Sequence, residues 1–330
     1  MKRKLTFGLI VLILFGFSVM PVQAKTTWIA NSVWPPNNHQ SIALESFAAT
    51  VKELTGGELE IIVNSGGALG YKGPELLKVV RDNLVPVSDM LISGVAGDES
   101  LFQVTTVPFL CRDFDELKQL IDVARPYFDQ AAEKWNQKIL YVSPWPGAGL
   151  WTTKKVAVIE EMRGLKTRTY DKNGALVVEA TGGTPYALPF SEVYSSLATG
   201  LIDSVITSTP TAVDAKFWEV LKFYQPLNIT IATNMVNVNL AAFNRLDAKT
   251  QEAVLKAAKE LEDELWANIA ALDKEKESIS NQNGIETVPV SGALMDALTE
   301  VTMGIRNDYL AEAPAEAKAI VEAFLKQVGR

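Results

Sequence analysis

The sequence predicts an α/β fold divided between two lobes, and three observations support this. Strand-like and helical stretches alternate along two separate regions of the 330-residue chain, which is typical of sheets with helical crossovers. A turn-rich segment at 143–149, with the sequence SPWPGAG, separates the two regions. A long amphipathic helix follows the second region. The length suits one large domain or two of ordinary size.

The first region begins with strands and helices in alternation. Gly56 and Gly57 end its first helix, and Pro74 fits the first turn of the second. Pro126 is expected to interrupt the third helix. We predict strands over 27–30, 59–63, 85–91 and 139–142, and helices over 42–54, 74–83 and 113–135.

The second region repeats the alternation and then leads back toward the first lobe. Ser191 is a good N-cap for one of its helices. We predict strands over 166–170, 185–188 and 205–207, helices over 174–181, 191–199 and 212–221, and a return segment over 226–233.

Helices complete the chain. Asp247 can cap a helix that runs to about Ile279, which would be more than about 40 Å long at ~1.5 Å per residue. That length is sufficient to brace two lobes. Two further helices are predicted over 294–310 and 314–328. We therefore expect lobe I to comprise 25–146 with 235–278, and lobe II to comprise 147–234 with 279–330.

The first 24 residues have the features of a secretory signal peptide. Lys2, Arg3 and Lys4 form a basic start, an apolar run follows to Met20, and small residues precede a cleavage site after Ala24. The apolar run is shorter than the ~20 residues of a membrane-spanning helix. We expect cleavage and export of the remaining chain.

Charge and residue usage exclude several classes of function. The chain has 31 basic and 39 acidic side chains, and loss of the three basic residues of the signal leaves a net charge of −11. Such a protein does not favour nucleic acid, whose phosphates require basic patches. His39 and Cys111 are the single histidine and cysteine, which excludes an internal disulfide and most zinc sites. We expect no metal and no cofactor.

Nothing in the sequence matches a common catalytic motif. The chain has no G-x-S-x-G, no P-loop, no G-x-G-x-x-G and no H-E-x-x-H. A Ser-His-Asp triad would have to be built on His39, which follows a Pro-Pro-Asn-Asn turn near a helix start. We therefore expect a binding protein and no enzyme.

A series of ordered motifs in the second region is specific. They are GLKTR at 164–168, GGTP at 182–185, LPFSEVY at 188–194 and LATGLID at 197–203. GALG at 67–70, VPFL at 107–110, WTTKK at 151–155, DAKFWE at 214–219 and NMV at 234–236 extend the series. Together they closely resemble the DctP family, the extracytoplasmic solute receptors of tripartite ATP-independent periplasmic (TRAP) transporters.

The resemblance implies a fold, a location and a partner. Family members have the two-lobed periplasmic binding protein fold (a Venus flytrap), with hinge strands and a long bracing helix. The resemblance implies a periplasmic monomer that binds a small carboxylate in its cleft and delivers it to the permease subunits of a TRAP transporter. A periplasmic hydrolase or lyase, and a receptor for a sensor kinase or an ATP-driven importer, are the alternatives.

The same resemblance implies the binding residues. Arg168 matches the family's ligand clamp, and a guanidinium pairs with a carboxylate through two parallel hydrogen bonds. Phe190 matches a position that contacts ligand, although core packing is the alternative. Thr207 stands where many relatives have an asparagine, and with Ser208 it retains hydroxyl groups for the ligand.

Tryptophans predict the character of the ligand. Trp151 stands near the place where many relatives carry a second arginine, and Trp34, Trp145 and Trp218 are expected near the lobe edges. Asn234 is expected at the second link between the lobes. Core packing is the alternative for each tryptophan. If they face the cleft, the ligand is a monocarboxylate with an apolar or aromatic body and not a sugar acid.

Overall fold

The computed structural model describes residues 25–330, so the predicted signal peptide lies outside the described residues. The strands are β1 (Thr26–Asn31), β2 (Leu59–Asn64), β3 (Val87–Leu91), β4 (Gln137–Pro144), β5 (Gly149–Thr152), β6 (Lys166–Thr169), β7 (Thr184–Ala187), β8 (Ser204–Thr207), β9 (Phe223–Gln225), β10 (Thr233–Asn239) and β11 (Glu286–Thr287). The α-helices are α1 (His39–Leu54), α2 (Leu76–Arg81), α3 (Phe114–Lys134), α4 (Lys172–Ala180), α5 (Phe190–Ala198), α6 (Thr209–Asp214), α7 (Leu240–Asn244), α8 (Ala248–Gln282), α9 (Gly292–Glu312) and α10 (Ala315–Gln327).

Lobe I is built on a five-stranded sheet in the order β2-β1-β3-β10-β4. β1 is parallel to both of its neighbours, whereas β10 returns from the second lobe and is antiparallel to β3 and β4. Alternate residues of β10 face opposite sides of the sheet. Met235 packs into the core on the α3 side, and Val236 packs into the core beneath α1 and α8.

Lobe II is built on a six-stranded sheet in the order β11-β9-β5-β8-β6-β7. β6 is parallel to β7 and β8, and β5 is antiparallel to β8 and β9. Two core clusters, one on the α4 and α9 side and one on the α5 side, cover the sheet. The two sheets confirm the predicted two-lobed α/β fold.

Two segments cross between the lobes side by side. Residues 145–148 join β4 to β5, and residues 226–232 join β9 to β10. Backbone hydrogen bonds connect them, from Trp145 N to Ala232 O at 2.9 Å and from Ala148 N to Thr230 O at 2.8 Å. The two segments therefore form one hydrogen-bonded link, and we expect them to move together.

The long helix α8 contacts both lobes, as the sequence predicts. Asp247 is its N-cap, and its carboxylate accepts a hydrogen bond from Thr250 N at 3.0 Å. Val254 and Leu261 pack into the lobe I core. Near the other end, Asp273 accepts a hydrogen bond of 2.7 Å from Thr209 Oγ1 of lobe II.

Two predictions about helices were wrong. α3 runs unbroken through Pro126, because Phe128 and the following turns remain packed in the lobe I core. The predicted helix over 212–221 is replaced by α6 and a single 3₁₀ turn at 217–219. Pro210 in the first turn fixes the earlier start, and Lys216 ends α6 with a positive φ of 49°.

The assignment of 279–330 to lobe II also needs correction. Leu294 and Leu298 of α9 pack into the lobe II core as expected. In contrast, Ile320 and Phe324 of α10 are fully buried in the lobe I core on the α3 side. The last helix therefore crosses back and belongs to lobe I.

The start of β5 has no space for a side chain. A Cβ atom at Gly149 would overlap the carbonyl oxygen of Gln225 and the ring of Tyr224. Overpacking of a rigid site costs about 1–3 kcal/mol or more, so Gly149→Ala should lower the free energy of unfolding by at least that amount in denaturant titration. Gly304→Ala is the control, because nothing lies within 4 Å of its Cβ in α9 and alanine favours a helix. Equal stability of the two variants would contradict this packing.

Candidate functional site

A cavity lies between the lobes, beside the crossing segments. Its space measures about 380 Å³ when the part open to solvent is included, near the lower end of the ~300–1,000 Å³ of small-molecule pockets. The lining residues are Trp34, Leu91, Trp145, Pro146, Ala148, Arg168, Tyr170, Phe190, Thr207, Ser208, Thr211 and Ala232.

Arg168 of β6 carries a buried positive charge in this cavity. The side chain is 4% exposed, and its Nε donates a hydrogen bond of 3.0 Å to the carbonyl oxygen of Leu188. Among residues 25–330, no carboxylate lies within ion-pair distance of its guanidinium. Burial lowers the pKa of Arg168 to about 10, so the group remains charged at neutral pH. An anion in the cavity would relieve the cost of burying this charge.

Hydroxyl groups lie on the same lobe as the guanidinium. Thr207 ends β8, Ser208 is the N-cap of α6, and Thr211 follows one turn later. Ser208 Oγ and Thr211 Oγ1 are 3.3 Å apart. Tyr170 Oη is 2.5 Å from Thr230 Oγ1 of the second crossing segment. These groups can each donate or accept a hydrogen bond.

Three aromatic rings, of Trp34, Trp145 and Phe190, form a wall of the cavity. Trp34 follows β1 in lobe I, and its ring meets that of Trp145 edge to face, with centroids 4.7 Å apart. Trp34 also contacts Phe190 of lobe II at 6.0 Å. Because this second ring pair joins the two lobes, the cleft is closed over the cavity.

Polar contacts hold the lobes together around the cavity. Asn37 Nδ2 and Asn38 Nδ2 of lobe I donate to the carboxylate of Asp214 at 3.2 and 2.5 Å. Gln103 Nε2 donates to Asn173 Oδ1 of α4 at 2.8 Å. These contacts join lobe I to lobe II, so the cavity lies between two lobes that are held together.

Comparison with known proteins identifies the family. The profile of the DctP family, "Bacterial extracellular solute-binding protein, family 7", matches residues 30–309. The protein belongs to this family. DctP proteins are receptors of TRAP transporters, act in the periplasm and are not enzymes. Within residues 25–330, no helix is both long and apolar enough to cross a membrane.

Solved structures and curated relatives agree with this assignment. DctP7 of Bordetella pertussis, an extracytoplasmic solute receptor binding pyroglutamic acid, is 30% identical, with a TM-score of 0.88 over 91% of this chain and 99% of that one. A marine metagenome TRAP protein specific for pyroglutamate is 28% identical, with a TM-score of 0.87 over 92% and 99% of the two chains. The 2,3-diketo-L-gulonate-binding periplasmic protein YiaO of Escherichia coli is 27% identical, over 78% of this chain and 79% of its own.

The fold of this DctP receptor brings together six of the nine residues that the sequence suggested. They are Arg168, Phe190, Thr207, Ser208, Trp145 and Trp34. Asn234 lies behind the cavity, fully buried, where its side chain joins Trp145 to lobe I. Trp218 packs against the α5-side core of lobe II. Neither Asn234 nor Trp218 lines the cavity.

Trp151 does not line the cavity, and its assignment as a ligand contact is corrected. It is fully buried, and its ring stacks on Tyr224 with centroids 4.0 Å apart. β5 is an inner strand, so the side chain of residue 151 faces the core of lobe II. Its Nε1 donates a hydrogen bond of 3.0 Å to the carbonyl oxygen of Thr207, so it supports the site from behind.

Sequence reasoning missed six lining residues. Two of them had a usable signal: Tyr170 follows Arg168 by two residues and shares its side of the strand, and Thr211 lies one turn from Ser208. The others are small or apolar side chains whose exposure to the cavity depends on how the crossing segments pack: Leu91, Pro146, Ala148 and Ala232.

His39 lies beside the cavity but does not carry a charge. Its ring meets that of Trp145 edge to face at 4.5 Å, and burial lowers the pKa of His39 to about 3. Since this pKa is lower than in the unfolded chain, the stability contributed by neutral His39 is present above about pH 6.5 and is lost as the pH falls toward 3.

The histidine offers a direct test of this environment. We predict that its imidazole resonances in NMR spectra stay constant between pH 8 and 5, because a buried neutral ring does not take up a proton there. As the chain has one histidine, no assignment is needed. The denatured protein is the control and should titrate near pH 6.5. A midpoint near 6.5 in the folded protein would contradict the buried position.

Proposed function

We propose that this receptor captures a small organic acid with one negative charge and an otherwise uncharged body, and delivers it to the permease subunits of a TRAP transporter. The observation that carries the proposal is the buried guanidinium of Arg168, which faces the cavity without a carboxylate partner. A ligand carboxylate supplies the missing charge and accepts two hydrogen bonds from the fork. Thr207 lies on the neighbouring strand, two residues beyond the Val205 that pairs with Arg168, and also lines the cavity.

The charges of the cavity wall narrow the ligand class. Arg168 is the one charged side chain among those that line the cavity. A ligand ammonium group would be buried without a carboxylate, and a second ligand carboxylate would be buried without a cation, and each costs several kcal/mol. Keto, hydroxy and lactam monocarboxylates therefore suit the site better than amino acids or dicarboxylates.

The shape of the wall favours a compact flat body. Trp34, Trp145 and Phe190 present ring surfaces, and the hydroxyl groups are confined to one side. A sugar acid carries hydroxyl groups on every side and would leave several of them unpaired. Pyroglutamate, the ligand named for two similar receptors, is a ring-shaped lactam monocarboxylate and meets these conditions.

The route of the ligand follows from the closed form. We infer that the lobes separate about the segments 145–148 and 226–232 to admit ligand, and that the closed receptor is the form the permease recognises. Both lobes of the chain contribute lining residues, and we propose that the receptor works as a monomer.

Thermal-shift assays with a matched panel test the ligand class. We expect L-pyroglutamate to raise the melting temperature, since a ligand at 100 times its Kd stabilises by about 2.7 kcal/mol. L-Proline and L-glutamate serve as controls that add an ammonium group, and succinate and D-glucuronate add a carboxylate or hydroxyl groups. Stabilisation by only succinate, D-glucuronate or the amino acids would contradict the proposal.

Removal of the guanidinium should abolish useful binding. Loss of one partner of a buried charge pair costs about 2–5 kcal/mol, so Arg168→Ala should weaken ligand binding roughly thirtyfold to several thousandfold in calorimetry. Arg168→Lys should also bind weakly, because an ammonium lacks the fork. Arg163→Ala is the control, as Arg163 is exposed and outside the cavity. Wild-type affinity of Arg168→Ala would exclude the clamp.

A further inference from the structure

A buried carboxylate that does not reach the cavity is connected to its aromatic wall. Trp145 Nε1 donates a hydrogen bond of 2.7 Å to Asn234 Oδ1, and Asn234 Nδ2 donates one of 2.7 Å to Asp89 Oδ1. Trp145 lines the cavity, whereas Asn234 and Asp89 are both fully buried behind it. The three side chains thus form a chain from the cavity wall into the lobe I sheet.

The second tryptophan of the wall leads to the same carboxylate. Ser32 Oγ accepts a hydrogen bond of 3.3 Å from Trp34 N and donates one of 3.5 Å to Asp89 Oδ2. Ser32 Oγ is also 2.9 Å from Ser41 Oγ, and Ser41 Oγ donates to Trp34 O at 3.0 Å. Asp89 is therefore linked to the Trp145 ring through Asn234 and to the Trp34 backbone through Ser32.

The position of this chain explains why it matters for binding. Trp145 lies in the first crossing segment, Asn234 lies at the start of the strand that follows the second, and Asp89 lies on β3 of lobe I. The side-chain bonds therefore tie the first crossing segment to lobe I, beside the strand into which the second segment leads. A shift of the Asn234 amide would release the Trp145 ring and change the cavity wall.

Within the part of the chain that the structure describes, residues 25–330, no cation forms an ion pair with Asp89. Burial raises its pKa to about 7, while hydrogen bonds from Asn234 and Ser32 oppose that shift. The titratable groups nearby are Tyr141 of β4, whose pKa is raised well above 10 by burial and by the Asp89 charge, and His39 of α1, whose ring meets that of Trp145 edge to face. Lys276 contributes to the field at His39 but not at Asp89. Asp89 is thus the group of this set that titrates near neutral pH.

We propose that Asp89 is a positioning residue for ligand binding, whose carboxylate orients Asn234 so that the Asn234 amide oxygen holds the Trp145 indole in the cavity wall. The effect on affinity rests on the proposed function, but the effect on Trp145 does not, because the hydrogen bonds join side chains of the protein itself. The position of the indole is therefore measured first, in the ligand-free protein.

NMR of the tryptophan indole N–H groups gives this first measurement, with Trp145→Phe to assign the resonance. In the wild type we expect the Trp145 N–H to be protected from exchange and to shift with a midpoint near pH 7, as Asp89 ionises. Asp89→Asn, which keeps an acceptor for Asn234, should retain the protection and abolish the midpoint. Asp89→Ala should lose both. Unchanged protection and titration in the two variants would overturn the proposal.

Calorimetry with L-pyroglutamate, or with the acid that stabilises the protein most in the panel, gives the second measurement. We expect Asp89→Ala and Asn234→Ala each to weaken binding at least tenfold, and the double variant to bind no more weakly than either, because both act through Trp145. Fully additive losses would contradict a shared path. If Asp89→Ala does not fold, the indole N–H resonance of Trp145 in Asp89→Asn and Asn234→Ala still tests the proposal.

A control separates positioning from general loss of stability. Glu116 of α3 is also buried, at 5% exposure, and pairs with Arg112 and Arg330 away from the cavity. Glu116→Gln should lower the melting temperature while it leaves the Trp145 resonance and the affinity unchanged. If Glu116→Gln changed the Trp145 resonance and the affinity as much as the Asp89 variants do, the Asp89 variants would act only through stability. Absence of binding by every acid in the panel, with a normal Asp89-dependent resonance, would refute the proposed function alone.

Discussion

An unpaired positive charge inside the cleft is the constraint on which the binding site depends. A buried guanidinium without an ion-paired carboxylate is costly, and the fold bears that cost at Arg168, where the charge of Asp171 acts only from beyond ion-pair distance. The Leu188 carbonyl oxygen fixes one edge of the group, which leaves the rest of the fork available to the cavity. Trp151 supports the neighbouring strand through the Thr207 carbonyl oxygen. The core of lobe II is therefore arranged to present one cation to a ligand.

The second constraint is the shared wall between the lobes. Trp34 and Phe190 come from different lobes and meet across the cavity, and the two crossing segments are hydrogen-bonded to each other. A ligand that pairs with Arg168 in lobe II also contacts rings that are anchored to lobe I. The proposed mode of binding therefore couples binding to closure, since the aromatic wall is complete only when the lobes are together.

Much of the fold and part of the site could be predicted from the sequence. Hydrophobic periodicity and the Asp247 cap located the long helix, and the ordered motifs pointed to Arg168 and Phe190, which both line the cavity. Trp151 could not be placed, because its direction depends on β5 lying inside a sheet with Tyr224 beside it. The lobe to which α10 belongs depends on the tertiary packing of Ile320 and Phe324 against lobe I, and no local sequence pattern predicts that packing. The Asp89 chain joins residues more than 50 positions apart and is likewise invisible in sequence.

The most direct test of the account is a crystal structure of the receptor with the acid that stabilises it most. We expect the ligand carboxylate to pair with the guanidinium of Arg168, with N–O distances of about 2.7–2.9 Å. The body of the ligand should lie against Trp34, Trp145 and Phe190. A ligand whose carboxylate is bound elsewhere, or an Arg168 side chain that turns away to pair with a carboxylate of the protein, would contradict it.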